Sequence, residues 1–121
     1  MGEAINSAEE SVAKVAQFDA EEPWVHVART MLCLASRKGP EAIAAARKSI
    51  ELNPNFAYGY SFLGIAHAVT GDGKSGLAAI ARAVRLSPRD LLRDEFDLFY
   101  SVAYFQTGDY GKATEHAAEA A

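Results

Sequence analysis

The chain has 121 residues, half of them hydrophobic, and a formal net charge of -4 at pH 7. That length suits one domain, and that composition allows a buried core, which excludes a disordered chain. No apolar run approaches the ~20 residues that a membrane helix needs, and the acidic N-terminus lacks the basic start of a signal peptide. We therefore expect a globular, cytoplasmic protein with no membrane partner.

The residues that usually carry chemistry are sparse. Cys33 is the only cysteine, so it can form no disulfide within the chain and is interpreted as a small apolar core residue. His26, His67 and His116 have no i, i+4 partner among themselves, and no spacing indicates a catalytic triad or a carboxylate pair. Gly73-Lys74-Ser75 resembles the end of a P-loop but follows a predicted helix, where no phosphate cradle forms. The sequence predicts no enzyme activity, no metal and no cofactor.

Charge is distributed unevenly along the chain. Residues 1–22 carry a net charge of -5, residues 23–93 carry +6, and residues 94–121 carry -5. Nucleic-acid binding would require a basic domain with interleaved aromatic residues, so we expect no nucleic-acid partner. The opposite charges of the ends and the middle favour contact between copies of the chain.

The first predicted element is a helix over residues 7–18. Ser7-Ala8-Glu9-Glu10 matches a capping box, and Val12 and Val15 continue an apolar face behind it. The segment is interpreted as the second helix of a truncated repeat or as an N-terminal cap. Pro23 then begins the next helix, where its missing amide hydrogen costs nothing.

Residues 23–56 predict a first helical hairpin. Its first helix has an apolar face that includes Trp24 and Met31, Arg37-Lys38-Gly39 forms the turn, and Pro40 opens the second helix. The buried face of the second helix is predicted to be Ala42, Ile43, Ala46, Ser49 and Ile50. If Trp24 corresponds to Tyr60 of the next hairpin, the first hairpin has two extra residues, which its first helix or its turn must absorb.

Residues 57–90 predict a second hairpin, and residues 94–121 a third one that is offset by three residues. Gly64 is expected where two helices touch, whereas Gly73 is expected to be a turn residue that tolerates alanine. In the third hairpin, Asp94, Glu95 and Asp97 are adjacent acids near a helix start, where they complement the helix dipole.

A repeat links these hairpins, because Pro54 and Pro88 lie 34 residues apart. Between them run Tyr60-x-x-Leu63-Gly64-x-x-His67, Gly76-x-x-x-Ile80 and Ala83, which resemble the tetratricopeptide repeat pattern. The resemblance covers about residues 7–121. It implies an all-α fold, a right-handed α-solenoid of about three hairpins, and a scaffold that binds a protein or peptide.

A narrower resemblance suggests an alternative function. Pro23-Trp24-Val25-His26, the run from Ile50 to Ala57 and the run from Ile80 to Asp90 are similar to the tetratricopeptide region that follows bacterial class III nucleotide cyclase domains. The alternative is therefore a regulatory or oligomerisation segment of a bacterial multidomain cyclase or similar signalling protein. The sequence upstream of Met1 would distinguish it from a free-standing scaffold.

The family resemblance also implies a concave groove lined by the first helices. Its slots fall on Val25, Arg29, Leu32, Tyr58, Ser61, Ile65, Val69, Leu98, Val102 and Phe105. Most are apolar, and Ser61 and Ile65 replace the Lys and Asn with which some relatives hold a terminal carboxylate, so the expected partner is a helix or extended peptide with apolar anchors. Leu98, Val102 and Phe105, together with the apolar side of Ala117–Ala121, also predict a weak homodimer through the third repeat.

Overall fold

The computed structural model describes residues 21–87 and 93–120, and the side chains of these residues except 93 and 94. This part of the chain contains six helices and no strand, which confirms the all-α prediction. The predicted helix over residues 7–18 lies outside the described residues. The helices are α1 (Pro23–Ala35), α2 (Gly39–Leu52), α3 (Ala57–Val69), α4 (Gly73–Leu86), α5 (Arg93–Thr107) and α6 (Tyr110–Ala120).

Consecutive helices pack as three hairpins, α1 with α2, α3 with α4, and α5 with α6. The first helices of neighbouring hairpins also touch, α1 against α3 and α3 against α5, and each second helix touches the next first helix. Among the described helices, α2 and α4 share no contact, and neither do α4 and α6. The first helices are therefore closer together than the second helices, so the stack curves with the first helices on its inner side.

The first two hairpins repeat with a spacing of 34 residues, from Pro23 to Ala57 and from Gly39 to Gly73. Their first helices both have 13 residues and their second helices 14. The two extra residues expected in the first hairpin are therefore absent, and that prediction was wrong. At this spacing Trp24 is equivalent to Tyr58, and His26 is equivalent to Tyr60. Matching Trp24 with Tyr60 because both are aromatic shifts the alignment of α1 by two residues.

The turn after each first helix has the same backbone form. Arg37, Gly71 and Gly108 have φ angles of 60°, 99° and 87°, the left-handed conformation that closes a helix C-terminus. After the last two of these turns, Asp72 accepts a hydrogen bond from the amide of Ser75 at 3.1 Å, and Asp109 accepts one from the amide of Lys112 at 3.2 Å. Counterparts in the second and third hairpins are thus 37 residues apart, as in Gly71 and Gly108.

Glycine allows α3 and α4 to cross closely. A Cβ atom on Gly64 would lie 2.5 Å from Cγ1 of Ile80 and 2.9 Å from the carbonyl oxygen of Gly76, and one on Gly76 would lie 2.7 Å from the carbonyl oxygen of Gly64. These separations are shorter than real side chains permit, so both positions exclude a larger residue. The predicted helix contact at Gly64 is confirmed.

Gly73 is also packed, which corrects the prediction that it is only a turn residue. A Cβ atom there would lie 2.6 Å from Cγ2 of Thr107 and 3.0 Å from the carbonyl oxygen of Ala103, both at the end of α5. Gly39, its counterpart, faces Thr70 at the end of α3 in the same way. The turns of the first two hairpins therefore each abut the first helix of the following hairpin, a tertiary contact that local turn chemistry does not reveal.

The main apolar core lies between the first helices and α4. Its buried residues are Val27, Phe62, Ile65, Ala68, Ile80, Phe99 and Ala103. Burying a side chain such as that of Phe62 or Ile80 stabilises the fold by about 1.5–3 kcal/mol each. Cys33 is buried as a free thiol beside Ala42 and Ala66, which confirms it as a small core residue. None of the described helices is long and apolar enough to cross a membrane.

Candidate interaction surface

The first helices present a surface on the inner side of the stack, which we call the inner surface. It is formed by residues at equivalent positions of the three first helices. Trp24 of α1 is equivalent to Tyr58 of α3 and to Glu95 of α5. Met31 corresponds to Ile65 and Val102, and Ala35 to Val69 and Gln106. Trp24, Met31 and Val69 are each about half exposed, and Tyr58 and Val102 are partly buried against the main core. The inner surface is thus mostly apolar and spans all three hairpins.

Trp24 is the largest side chain of the inner surface and is held in place by two other rings. Its ring centroid lies 4.9 Å from that of Phe56 in an edge arrangement and 4.5 Å from that of Tyr58. Aromatic contacts of this kind add about 0.5–1.5 kcal/mol beyond the area they bury. Because 49% of Trp24 still faces solvent, the residue combines a fixed orientation with a large free apolar area.

The ten residues predicted to line the groove fall in different environments. The structure brings Tyr58, Ile65 and Val102 together in or against the main core. Ser61 and Ile65 are buried, at 0% and 8% exposure, and offer no surface to a partner. Val25, Arg29, Leu32, Tyr58 and Val102 are half-buried, whereas Val69, Leu98 and Phe105 are exposed.

Leu98 and Phe105 lie on a second surface, the end face of the third hairpin, which we define as Leu98, Phe105 and Tyr110. The counterparts of Leu98 are Val27 and Ser61, both buried, and one counterpart of Phe105 is the buried Ala68. Phe105 and Tyr110 touch with ring centroids 5.2 Å apart, and both are more than half exposed. These positions belong to the face on which one hairpin stacks against the next, not to the inner surface.

Sequence reasoning missed Trp24 and Met31 as surface residues. Matching Trp24 with Tyr60 of the second hairpin shifts the predicted α1 positions by two residues. Applying the 34-residue spacing between Gly39 and Gly73 to the first helices would have aligned Trp24 with Tyr58, because both hairpins have identical helix lengths.

A second missed feature is a polar pair between α5 and α6. Nδ1 of His116 lies 2.8 Å from Oδ1 of Asp97, whose side chain is almost fully buried. The imidazole ring packs on Tyr100 and Tyr104 at centroid distances of 4.8 and 5.4 Å. Asp97 therefore joins two helices through a partner 19 residues away, a contact that the helix-dipole interpretation of this residue did not include.

Burial shifts the pKa of one side chain on each of the three first helices. Burial raises the pKa of Glu95, the acidic member of the inner surface, and burial, more than the nearby Glu41 carboxylate, raises the pKa of the Cys33 thiol. Burial likewise lowers the pKa of His67. Within the described residues, no three His, Cys, Asp or Glu side chains are grouped so that they could hold a metal ion.

Comparison with known proteins supports the architecture. Two solved structures of MamA superpose with a TM-score of 0.70 over 96% of this chain, at 21% sequence identity. The chain spans 62% and 66% of those two MamA chains. A 48-residue stretch is 46% identical to the Hsp70-Hsp90 organizing protein of Triticum aestivum, which is 40% of this chain and 8% of that protein. No protein-family model matches the sequence.

Similarity at this level concerns the fold. The six described helices, their pairing into hairpins and the superposition on MamA agree on one architecture. The described chain has the fold of a tetratricopeptide-type helical solenoid.

Proposed function

We propose that the protein is an interaction scaffold that holds a partner helix or extended peptide on its inner surface. The observation that carries the proposal is the exposure of Trp24 in a fixed orientation between Phe56 and Tyr58. Tryptophan and tyrosine are enriched among the residues that dominate binding energy in protein interfaces. A side chain that is already ordered loses little conformational entropy on binding, which favours affinity.

The chemistry of the inner surface defines the kind of partner. Trp24, Met31, Tyr58 and Val69 offer apolar contacts, and the only acidic side chain at the aligned positions is Glu95. Apolar anchors at regular spacing suit the apolar face of an amphipathic helix or alternate side chains of an extended peptide. The matching stretch of the wheat Hsp70-Hsp90 organizing protein is consistent with such a role.

Site-specific photo-crosslinking in extract of the source organism tests this function. A photoreactive residue at Met31 should crosslink one partner, and Trp24→Ala in the same chain should abolish that product, since loss of a dominant interface residue lowers affinity by about 30-fold or more. The control places the photoreactive residue at Glu51, which is exposed on α2. Crosslinking of the same partner from Glu51, or unchanged yield with Trp24→Ala, would contradict the proposal.

The buried positions change the choice of variants. Ile65 lies in the main core, so Ile65→Glu would unfold the protein and report nothing about binding. Trp24→Ala and Met31→Ala alter exposed side chains and should leave the helical circular dichroism spectrum unchanged, which separates loss of binding from loss of fold.

A further inference from the structure

A cavity of about 480 Å³ opens between the turn of the first hairpin and the end of α3. Its apolar wall consists of Leu34, Pro40 and Val69, and its other lining residues are Arg37, Gly39 and Thr70. Val69 belongs to the inner surface and is 55% exposed, so the cavity extends that surface toward the turn. A mostly apolar cavity with few polar groups, in the range of ~300–1,000 Å³, is typical of ligand pockets.

The equivalent place between the second and third hairpins has a different lining. Gln106 is the equivalent of Val69, and its side chain reaches across to the turn. A Cβ atom on Gly73 would lie 3.3 Å from Cβ of Gln106, and one on Gly71 would lie 3.9 Å from its Nε2 atom. The other two residues of the apolar wall also differ there, with Ala68 for Leu34 and Lys74 for Pro40. The first junction therefore has a more apolar wall and no amide side chain across it.

Arg37 supplies the only charge among the six lining residues. Its backbone is left-handed, with a φ angle of 60°, where the equivalent residues of the other turns are Gly71 and Gly108. Within the described part of the chain, its guanidinium forms no hydrogen bond or ion pair. Strained backbone conformations of this kind cluster at functional sites. Arg37 is therefore placed to bind an anion at the edge of the cavity.

The other polar side chain of the lining, Thr70, has no hydrogen to offer an anion. Its hydroxyl donates within α3, because Oγ1 lies 2.9 Å from the carbonyl oxygen of Ala66 and 3.0 Å from that of His67. Among the lining side chains, the guanidinium of Arg37 is thus the one donor left for a ligand. A planar guanidinium matches a carboxylate, which can accept two parallel hydrogen bonds from it.

We propose that this cavity holds an aliphatic side chain of the partner peptide while Arg37 binds an aspartate or glutamate carboxylate of the same peptide. The inference rests on the proposed function, because the cavity is an extension of the inner surface. Charge favours this occupant over a basic one, since the six lining residues include one cation and no acid. The partner is therefore an acidic peptide with an aliphatic anchor.

Short peptides with blocked ends test the cavity directly. In acetyl-Gly-Leu-Gly-Glu-Gly-amide, the leucine and the glutamate point to the same side of an extended chain. Binding should shift the amide NMR signals of Val69 and Thr70, and affinity should fall about tenfold or more when glutamine replaces the glutamate or alanine replaces the leucine. Equal affinity for the glutamate and glutamine peptides would overturn the proposal. Tighter binding of acetyl-Gly-Gly-Leu with a free terminal carboxylate would also overturn it, because the anion would then be the end of the peptide.

Two arginine variants separate the role of Arg37 from a general effect of charge. Arg37→Gly introduces the residue found in the equivalent turns, so the chain should stay folded by circular dichroism while affinity for the glutamate peptide falls about tenfold or more. Arg85→Gln removes the same charge from an exposed position of α4 and should leave that affinity unchanged. Unchanged affinity in Arg37→Gly, or equal losses in both variants, would overturn the proposal.

Crosslinking from Met31 shows whether the cavity and the rest of the inner surface bind one partner. At limiting protein concentration, Arg37→Gly should lower the yield of the crosslinked partner about tenfold. A crosslink that depends on Trp24 and not on Arg37 would overturn the role of the cavity and leave the proposed function intact. Peptide binding at the cavity without any crosslink from Met31 would support the cavity and contradict the proposed function.

Discussion

Asp97 and His116 join the two helices of the third hairpin, with Oδ1 of the buried carboxylate 2.8 Å from Nδ1 of the imidazole. Truncating the imidazole removes a hydrogen bond to a buried carboxylate, which costs about 1–3 kcal/mol. His116→Ala should therefore lower the free energy of unfolding by about that amount, measured by urea denaturation. Glu115→Ala, at an exposed position of the same helix, is the control. Equal stability of the two variants would show that the pair contributes nothing.

The packed glycines predict a graded series of stabilities. Gly64→Leu should cost about 1–3 kcal/mol by overpacking the crossing of α3 and α4. Gly73→Ala should also destabilise, because the added methyl group meets Thr107 and a backbone oxygen. Gly111→Ala meets only a side-chain oxygen at 3.9 Å and should stabilise by up to about 1 kcal/mol through helix propensity. Thermal unfolding of the three variants checks the order, and a tolerant Gly73 would refute the contact with α5.

Arg37 has a left-handed backbone conformation, so we expect that glycine at this position stabilises the protein. Its counterparts Gly71 and Gly108 adopt the same conformation without a Cβ atom, whereas a non-glycine residue there is strained by about 1 kcal/mol or more. Arg37→Gly should raise the free energy of unfolding by about 0.5–1 kcal/mol, because relief of strain outweighs the greater entropy of unfolded glycine. The reverse change, Gly71→Arg, should lower the free energy of unfolding. Chemical denaturation of both variants should therefore show changes of opposite sign.

His67 predicts a pH dependence of stability. Burial lowers the pKa of His67 in the folded state. The Asp72 carboxylate opposes this shift, and the Arg47 guanidinium adds to it. The unfolded chain then binds more protons near the ordinary histidine pKa of about 6.5, so this residue destabilises the fold as the pH falls from about 7.5 to 5.5. His67→Phe should flatten that part of the stability profile. If wild type and variant differ by the same free energy at both pH values, His67 does not titrate differently on folding.

The end face predicts weak self-association. Phe105 and Tyr110 are 65% and 61% exposed and touch each other, and apolar patches of this kind commonly mark interfaces. Sedimentation equilibrium should detect a homodimer at high micromolar concentration that Phe105→Ser abolishes and Val69→Ser, on the inner surface, does not. If the acidic end meets the basic middle of a second copy, association should weaken as salt shortens the screening length from ~10 Å at 0.1 M to ~3 Å at 1 M. A strict monomer in low salt would contradict the prediction.

Local sequence rules were sufficient to predict the hairpins, because prolines, turn glycines and apolar spacing act within a few residues of one another. They did not identify the neighbours of Gly73 or the pairing of Asp97 with His116, since both depend on helices that meet only after folding. The error at Trp24 has a different cause. The sequence pattern alone allows a large aromatic residue at either a buried or an exposed position of the repeat. Only the helix lengths show which of the two positions Trp24 occupies.

The absence of contact between α2 and α4 has a mechanical consequence, because α1 and α3 do touch. Spreading or closing the two second helices changes the radius of the stack without separating any apolar surfaces between them. Such bending hinges along the line where the first helices meet and slides α2 along α3, as packed helices do in the shear motions of domain closure. The width of the inner surface can therefore change while Trp24 of α1 keeps its ring contacts with Phe56 and Tyr58 of the next hairpin.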